Sequence, residues 1–155
     1  MTDKKIIDWP QYFELCNLIV DQIKTSGIIF TDIIGLARGG LIPAQYIAYK
    51  LGIRRVHSFG ISTYSEKDER LPDNEILIYQ RVTAPFNKEC KVLVIDDIAD
   101  SGRSLIRCIN FHYDFFHSDG YKTCTLHYKP SSKFKPDFYA TEIKDSDWIV
   151  YPYDN

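Results

Sequence analysis

The stretch VLVIDDIADSGRSL, Val92 to Leu105, runs four apolar residues into Asp96 and Asp97, adds a third acid at Asp100, and continues as Ser101-Gly102-Arg103-Ser104. A buried strand does not ordinarily end in three carboxylates. Adjacent carboxylates suit the vicinal hydroxyls of a ribose, or a hard cation such as magnesium, which takes oxygen ligands. The loop that follows suits the opposite charge. Ser101 and Ser104 bring hydroxyl donors, and Gly102 lets the backbone approach an anion closely. A helix beginning there presents unpaired N–H groups and partial positive charge, which makes a phosphate cradle. It lacks the Lys-Ser/Thr ending of a Walker loop. A ribose bearing a 5′-phosphate satisfies both halves. The plainer alternative is that Asp96 and Asp97 merely end a strand and Asp100 caps a helix; three acids followed at once by Ser-Gly-Arg-Ser weigh against it.

Such a loop needs a strand before it and a helix after it. KVLVIDD is apolar on both faces, as a central parallel strand should be, and a helix is predicted from about Gly102 to His117, with Leu105, Ile106, Ile109 and Phe116 inward. A second strand-to-helix loop, GLARGG at Gly35 to Gly40, lies between the strand-like IIFTDIIGL and the helical spacing of LIPAQYIAYKLG. Upstream, Trp9, Phe13, Cys16, Ile19, Val20 and Ile23 mark a helix from Asp8 to Lys24, with Asp8 as N-cap, Pro10 in the first turn and Gly27 as the stop. RVHSFGIS, CTLHYK and WIVY read as further strands. Strands alternating with helices predict an α/β fold with a central, mainly parallel sheet flanked by helices. Ligands of such sheets sit beyond the carboxyl ends of the strands, where GLARGG and DDIADSGRS would lie side by side. Thr63 to Lys88 is polar, charged and weakly periodic, which predicts a functional loop or a hairpin flap.

The 155 residues suit one domain, 1–155, with no repeat or linker. Hydrophobic residues make up 45% and charged ones 26%, a globular balance. A formal net charge of −2 offers no global basic field, so no nucleic-acid partner is expected and anionic ligands must be held locally. No segment approaches the length of a membrane span, and a cytoplasmic location is expected. Cys16, Cys90, Cys108 and Cys124 include no C-x-x-C pair and read as reduced core cysteines. Cys108 and His112 share a helix face at i, i+4, but two further ligands for a zinc site are lacking.

The acidic stretch resembles the phosphoribosyl-pyrophosphate signature of type I phosphoribosyltransferases, with serines in place of two threonines. The resemblance extends to the bacterial xanthine–guanine phosphoribosyltransferases. GLARGGLIPA is similar to their pyrophosphate loop, ISTYSEKDER to the start of their flexible loop, HYKPSS to their purine-reading lysine segment, and DSDWIVYPYD to their base-stacking end. Order and length agree from about Trp9 to Asp154. The resemblance implies the type I phosphoribosyltransferase fold with a flexible loop and a small hood. It also implies transfer of the 5-phosphoribosyl group from 5-phosphoribosyl 1-pyrophosphate to a 6-oxopurine in purine salvage, with pyrophosphate released and Mg2+ as cofactor.

It implies roles residue by residue. Asp96 and Asp97 would engage the ribose hydroxyls, Asp97 being the metal contact. Ser101, Gly102, Arg103 and Ser104 would hold the 5′-phosphate. Arg38 and Gly39 would hold the pyrophosphate, with a cis peptide before the arginine; the family commonly has Ser where this chain has Ala37. Asp100 would face the imidazole edge of the purine as acid–base group, and Arg70 would reach the nucleotide from the flexible loop. Lys129 would donate to the 6-oxo oxygen, whereas the amino group of adenine would meet that ammonium donor to donor. Trp148 would stack on the base and the Ile149 carbonyl would accept from it. Taken singly, Lys129 is an ordinary surface lysine, Trp148 a core residue and Arg70 a solvated loop residue. Val150 stands where the xanthine–guanine enzymes tend to carry an acid, so guanine, xanthine and hypoxanthine all remain candidate bases. A hypoxanthine-preferring enzyme is one alternative. A regulator of the same fold that senses nucleotides and binds nucleic acid is another, although only Arg54-Arg55 offers it a basic cluster. The aromatics Phe111, Tyr113, Phe115 and Phe116 suit either core packing or a subunit interface, and the resemblance implies a homodimer or homotetramer.

Overall fold

The computed structural model describes residues 2–67, 69–83, 86–112 and 120–154. Among these residues the chain forms β1 (Asp3–Ile6), α1 (Trp9–Ser26), β2 (Asp32–Ala37), α2 (Leu41–Leu51), β3 (Arg55–Ser62), β4 (Leu77–Gln80), β5 (Val92–Ala99), α3 (Arg103–Phe111), β6 (Tyr121–Tyr128), β7 (Phe138–Glu142) and β8 (Asp147–Val150). Six strands form one sheet in the order β4-β3-β2-β5-β6-β7, parallel except for β4. β1 and β8 pair in parallel as a separate two-stranded sheet.

Local sequence explains most of these bounds. Asp8 accepts from the Gln11 amide N–H at 2.8 Å, and the Gln11 side chain accepts from the Asp8 N–H at 3.0 Å, a reciprocal cap that starts α1 as predicted. Gly27 ends it in the left-handed conformation, φ 71°. Residues alternate across the two central strands, as a pleat requires. Ile33, Leu93 and Ile95 pack with Tyr12, Cys16, Ile19, Ala44 and Ile47 beneath α1 and α2. Ile34, Leu36, Val92 and Val94 pack on the other face with Phe59, Leu105 and Cys108 of α3. That double burial is why KVLVIDD reads as an unbroken apolar run.

Several bounds differ from the sequence pattern. The β2 strand starts at Asp32 rather than Ile28, and β6 starts at Tyr121, three residues before CTLHYK. Helix α3 ends at Phe111 with His112 as its cap; Tyr113, Phe115, Phe116 and His117 lie outside the described residues. Ile106, predicted inward, is only half-buried. The polar segment after Thr63 contains a 3-10 turn at Asp73–Glu75 and then β4, which returns antiparallel to β3, the geometry of a hairpin flap. β1 and β7 had no sequence signal. All four cysteines are buried without a disulfide, and burial pushes the Cys16 thiol up to about 12. Among the described residues no helix is long and apolar enough to cross a membrane.

Candidate active site

Following the chain outward from β2, α2 leads to β3 on one side of the sheet, whereas β5 pairs with β2 on the other. Successive connections therefore diverge at β2 and β5, and the crevice beyond their carboxyl ends is the topological switch point. The GLARGG and DDIADSGRS loops both leave from that point.

They touch. A Cβ added to Gly39 would fall 2.0 Å from Asp97 Oδ2, so only glycine lets the first loop lie against the second. The peptide between Ala37 and Arg38 is cis, as the resemblance implied, and the Arg38 side chain is exposed beside it. Gly102 has φ 77° and begins α3; its added Cβ would meet Ser132 Oγ at 2.6 Å and the Phe134 amide nitrogen at 2.7 Å. The close approach is thus made by the chain after Lys129, whose Lys133 N–H also donates to Ser101 O at 3.0 Å.

Asp96 and Asp97 sit half-buried at the end of β5. Desolvation raises both carboxyls above the ordinary carboxylate range, and for Asp96 the neighbouring Asp97 charge adds to it. The Asp96 carboxylate accepts from the Asp97 amide at 2.9 Å. Among the described residues no lysine or arginine pairs with either acid. Two adjacent carboxylates without a cationic partner fit a divalent cation. Among the described residues no cluster of three or more metal-ligating side chains gathers around them.

Asp100 turns away from that pair. Its carboxylate meets Lys129 Nζ at 3.0 Å through Oδ1 and Arg70 Nη2 at 3.0 Å through Oδ2. It does not cap α3, whose N-cap is Gly102 with no side-chain cap bond. Lys129, at the end of β6, is buried with its side chain 9% exposed, so it is no ordinary surface lysine. Arg70 is drawn from the loop by Asp100 and by Tyr64, whose hydroxyl lies 3.3 Å from the same guanidinium nitrogen. Arg70, Asp100 and Lys129, separated by 30 and 29 positions in the chain, are thereby brought together. Arg103 goes elsewhere: its Nε meets Asp73 Oδ1 at 2.6 Å and its Nη2 donates to Leu71 O. Ser101, Gly102 and Ser104 remain at the start of α3, where backbone N–H groups face out of the helix end.

Trp148 and Ile149 lie on β8, in the smaller sheet. Trp148 is 54% exposed and stacks on no other ring among the described residues, while Ile149 is buried and Val150 half-buried. Lys5 of β1 holds this element by a 2.6 Å ion pair with the buried Asp147. The chain then turns back to the acids. Tyr153 donates to Asp97 Oδ2 at 2.7 Å and Tyr151 to the Asp97 carbonyl at 3.0 Å, with His127 Nδ1 2.8 Å from the Tyr151 hydroxyl. Sequence patterning gave no sign of Lys5, His127, Tyr151 or Tyr153, because each residue type is equally at home in packing or at the surface. The other buried acid, Asp32, lies at the opposite end of β2 and is fully paired with Arg55, His57 and Thr31.

The fold and these loops define a class: an α/β protein whose switch-point crevice offers carboxylates beside helix-end N–H groups, chemistry suited to a hydroxylated, phosphorylated ligand. The chain belongs to the phosphoribosyl transferase domain family, which matches residues 4–154. A xanthine-guanine phosphoribosyltransferase from Cereibacter sphaeroides is 29% identical over 122 residues, covering 79% of this chain and 68% of the relative. Among solved structures, a purine phosphoribosyltransferase from Pyrococcus horikoshii superposes with a TM-score of 0.83 at 25% identity, over 99% of this chain and 95% of the other. The xanthine-guanine-hypoxanthine phosphoribosyltransferase of Helicobacter pylori shares the fold, with a TM-score of 0.77 at 21% identity over 97% and 93%.

Proposed function

We propose that this chain is a purine salvage enzyme, transferring the 5-phosphoribosyl group of 5-phosphoribosyl 1-pyrophosphate to a 6-oxopurine and releasing pyrophosphate. Family membership and the purine-specific relatives support the reaction class. The observation that carries the base assignment is the 3.0 Å contact between Lys129 Nζ and Asp100 Oδ1. It sets an ammonium donor and a carboxylate side by side. A free 6-oxopurine that carries its imidazole proton on N7 presents an acceptor, O6, and a donor, N7–H, side by side on one edge. Lys129 reads O6 and Asp100 faces the imidazole ring, where it accepts or relays the proton leaving the base. Trp148, exposed on β8, supplies the stacking face, and the Ile149 carbonyl accepts from a ring N–H or 2-amino group.

Asp96 and Asp97 hold the ribose hydroxyls, and Asp97 is the acid that contacts the cation. Magnesium, when bound, would supply charge neutralisation for the departing pyrophosphate, and Asp97 is the residue that would hold it. Ser101, Gly102 and Ser104 grip the 5′-phosphate through hydroxyls and α3 N–H groups, while the Arg103 side chain of the same turn is engaged by Asp73 and the Leu71 carbonyl. Arg38 and Gly39 take the pyrophosphate, and Arg70 closes over the nucleotide from the flap. The bond from the anomeric carbon to pyrophosphate breaks as the bond to a purine ring nitrogen forms, through an oxocarbenium-like state with inversion. Most of the rate then comes from positioning and fixed charge rather than covalent catalysis.

The test is nucleotide formation with magnesium, the sugar pyrophosphate and guanine, xanthine, hypoxanthine or adenine in turn. Turnover of one or more 6-oxopurines with adenine rejected is expected. Binding of the sugar pyrophosphate without turnover of any base would exclude the enzyme.

A further inference from the structure

We propose that Tyr153 is a positioning residue for Asp97, fixing which carboxylate oxygen that acid presents to the magnesium–sugar pyrophosphate complex. The proposal rests on the phosphoribosyl-transfer reading and deepens it. Its basis is the hydrogen bond from the Tyr153 hydroxyl to Asp97 Oδ2, 2.7 Å long. The same oxygen is confined by the glycine loop, since a Cβ on Gly39 would lie 2.0 Å from it. Oδ2 is therefore the oxygen that Tyr153 ties down and the one nearer the glycine loop, Oδ1 standing 2.9 Å from the same Cβ position.

The tyrosine is itself held. Its ring stacks on Tyr151 with centroids 5.4 Å apart and planes 18° apart, and meets Tyr12 edge-on at 5.9 Å. Tyr151, two residues earlier, spends its hydroxyl proton on the Asp97 carbonyl at 3.0 Å, so its oxygen accepts from His127 Nδ1 at 2.8 Å. Burial holds His127 neutral, with the proton on Nδ1 as that bond requires. Asp97 is thus gripped at both its carboxylate and its carbonyl by one short stretch of chain. That stretch also carries Trp148 and Ile149, so the element that binds the base sets the geometry of the acid that binds the sugar.

The decisive measurement is calorimetric binding of magnesium–5-phosphoribosyl pyrophosphate to the full chain without purine, for the wild type and Tyr153→Phe. Steady-state KM values for sugar and base and the thermal midpoint complete it. Losing one hydrogen bond to a charged group predicts roughly ten-fold weaker binding of the sugar pyrophosphate. The magnesium requirement should rise in parallel with purine KM unchanged, and the thermal midpoint should fall modestly because the bond to Asp97 already stands in the unliganded fold. Unaltered sugar affinity in Tyr153→Phe would overturn the assignment. So would a joint fall in sugar affinity, base affinity and stability, the pattern of a merely structural tyrosine. A wild-type chain that binds no sugar pyrophosphate would overturn the phosphoribosyl-transfer reading first and this assignment with it.

Discussion

Among the described residues the Lys129 ammonium forms one ion pair, with Asp100, and the pair sits where the base edge is expected. An ammonium has three protons, so it can keep Asp100 and still donate to a 6-oxo oxygen. Adenine would place an amino donor against it and force one of the two to lose its acceptor. Lys129→Ala should therefore cost roughly 10- to 100-fold in kcat/KM for the 6-oxopurine, the worth of a hydrogen bond to a charged group, and weaken discrimination against adenine. Parallel kcat/KM values for both bases check this; intact adenine rejection would remove Lys129 from the role. Residues of this kind are half legible in sequence. Asp96, Asp97, Asp100 and the serine loop declare themselves because acids at a strand end have few uses other than chemistry. Lys129 and Trp148 were recognisable only through resemblance, and Tyr151 and Tyr153 not at all, since a tyrosine's hydroxyl partner is decided by the fold.

At the scale of elements, the flap between β3 and β5 is fastened to α3 rather than hanging free. Arg103, expected to back the 5′-phosphate, reaches instead to the Leu71 carbonyl and to Asp73, with its own side chain only 11% exposed. The Asp73 carboxylate is 74% exposed, so solvent screens that half of the contact. The bond to the carbonyl carries more of the fastening. Arg103→Ala should raise amide exchange about ten-fold near Leu71, whose N–H bonds to Thr63 O at 2.8 Å, while Asp73→Ala should change it much less. Hydrogen-exchange mass spectrometry of the two variants reads this directly, with α1 peptides as the internal reference. Unchanged exchange in Arg103→Ala would mean that the flap is held by β4 pairing and the Arg70–Asp100 contact instead. The hairpin was legible only as a polar stretch too long for a simple turn. β1 was illegible because all four of its residues are exposed, so no alternation marks it; parallel pairing with β8 and the Lys5–Asp147 pair define it. β7, a half-buried edge strand, gives a similarly faint pattern.

For the whole molecule, the acid side of the stability profile should turn on the buried histidines that desolvation lowers, His112 and above all His127, which links β6 to the C-terminal stretch and through it to β5. His127 is 3% exposed, and desolvation, with a smaller contribution from the Lys5 charge, lowers it from 6.5 to about 4. The unfolded chain therefore takes up the proton first. Stability owed to a neutral His127 is complete above pH 6.5, declines as pH falls below that value, and is gone near pH 4. The loss between pH 7 and pH 5 is about 2 kcal/mol, on the order of 4–8 °C in thermal midpoint for a chain of this size. Asp96 and Asp97 act in the opposite sense. Their carboxyls are raised in the fold, so protonation favours the folded state and offsets part of the acid loss. That offset is common to the wild type and to His127→Asn, whose amide nitrogen stands where Nδ1 does, so it keeps a donor for Tyr151 but cannot titrate. The variant should therefore show a shallower fall in thermal midpoint from pH 7 to pH 5 than the wild type, by several degrees. Equal slopes in the two chains would place the acid sensitivity elsewhere and would count against a neutral, Nδ1-protonated His127 holding Tyr151 in place.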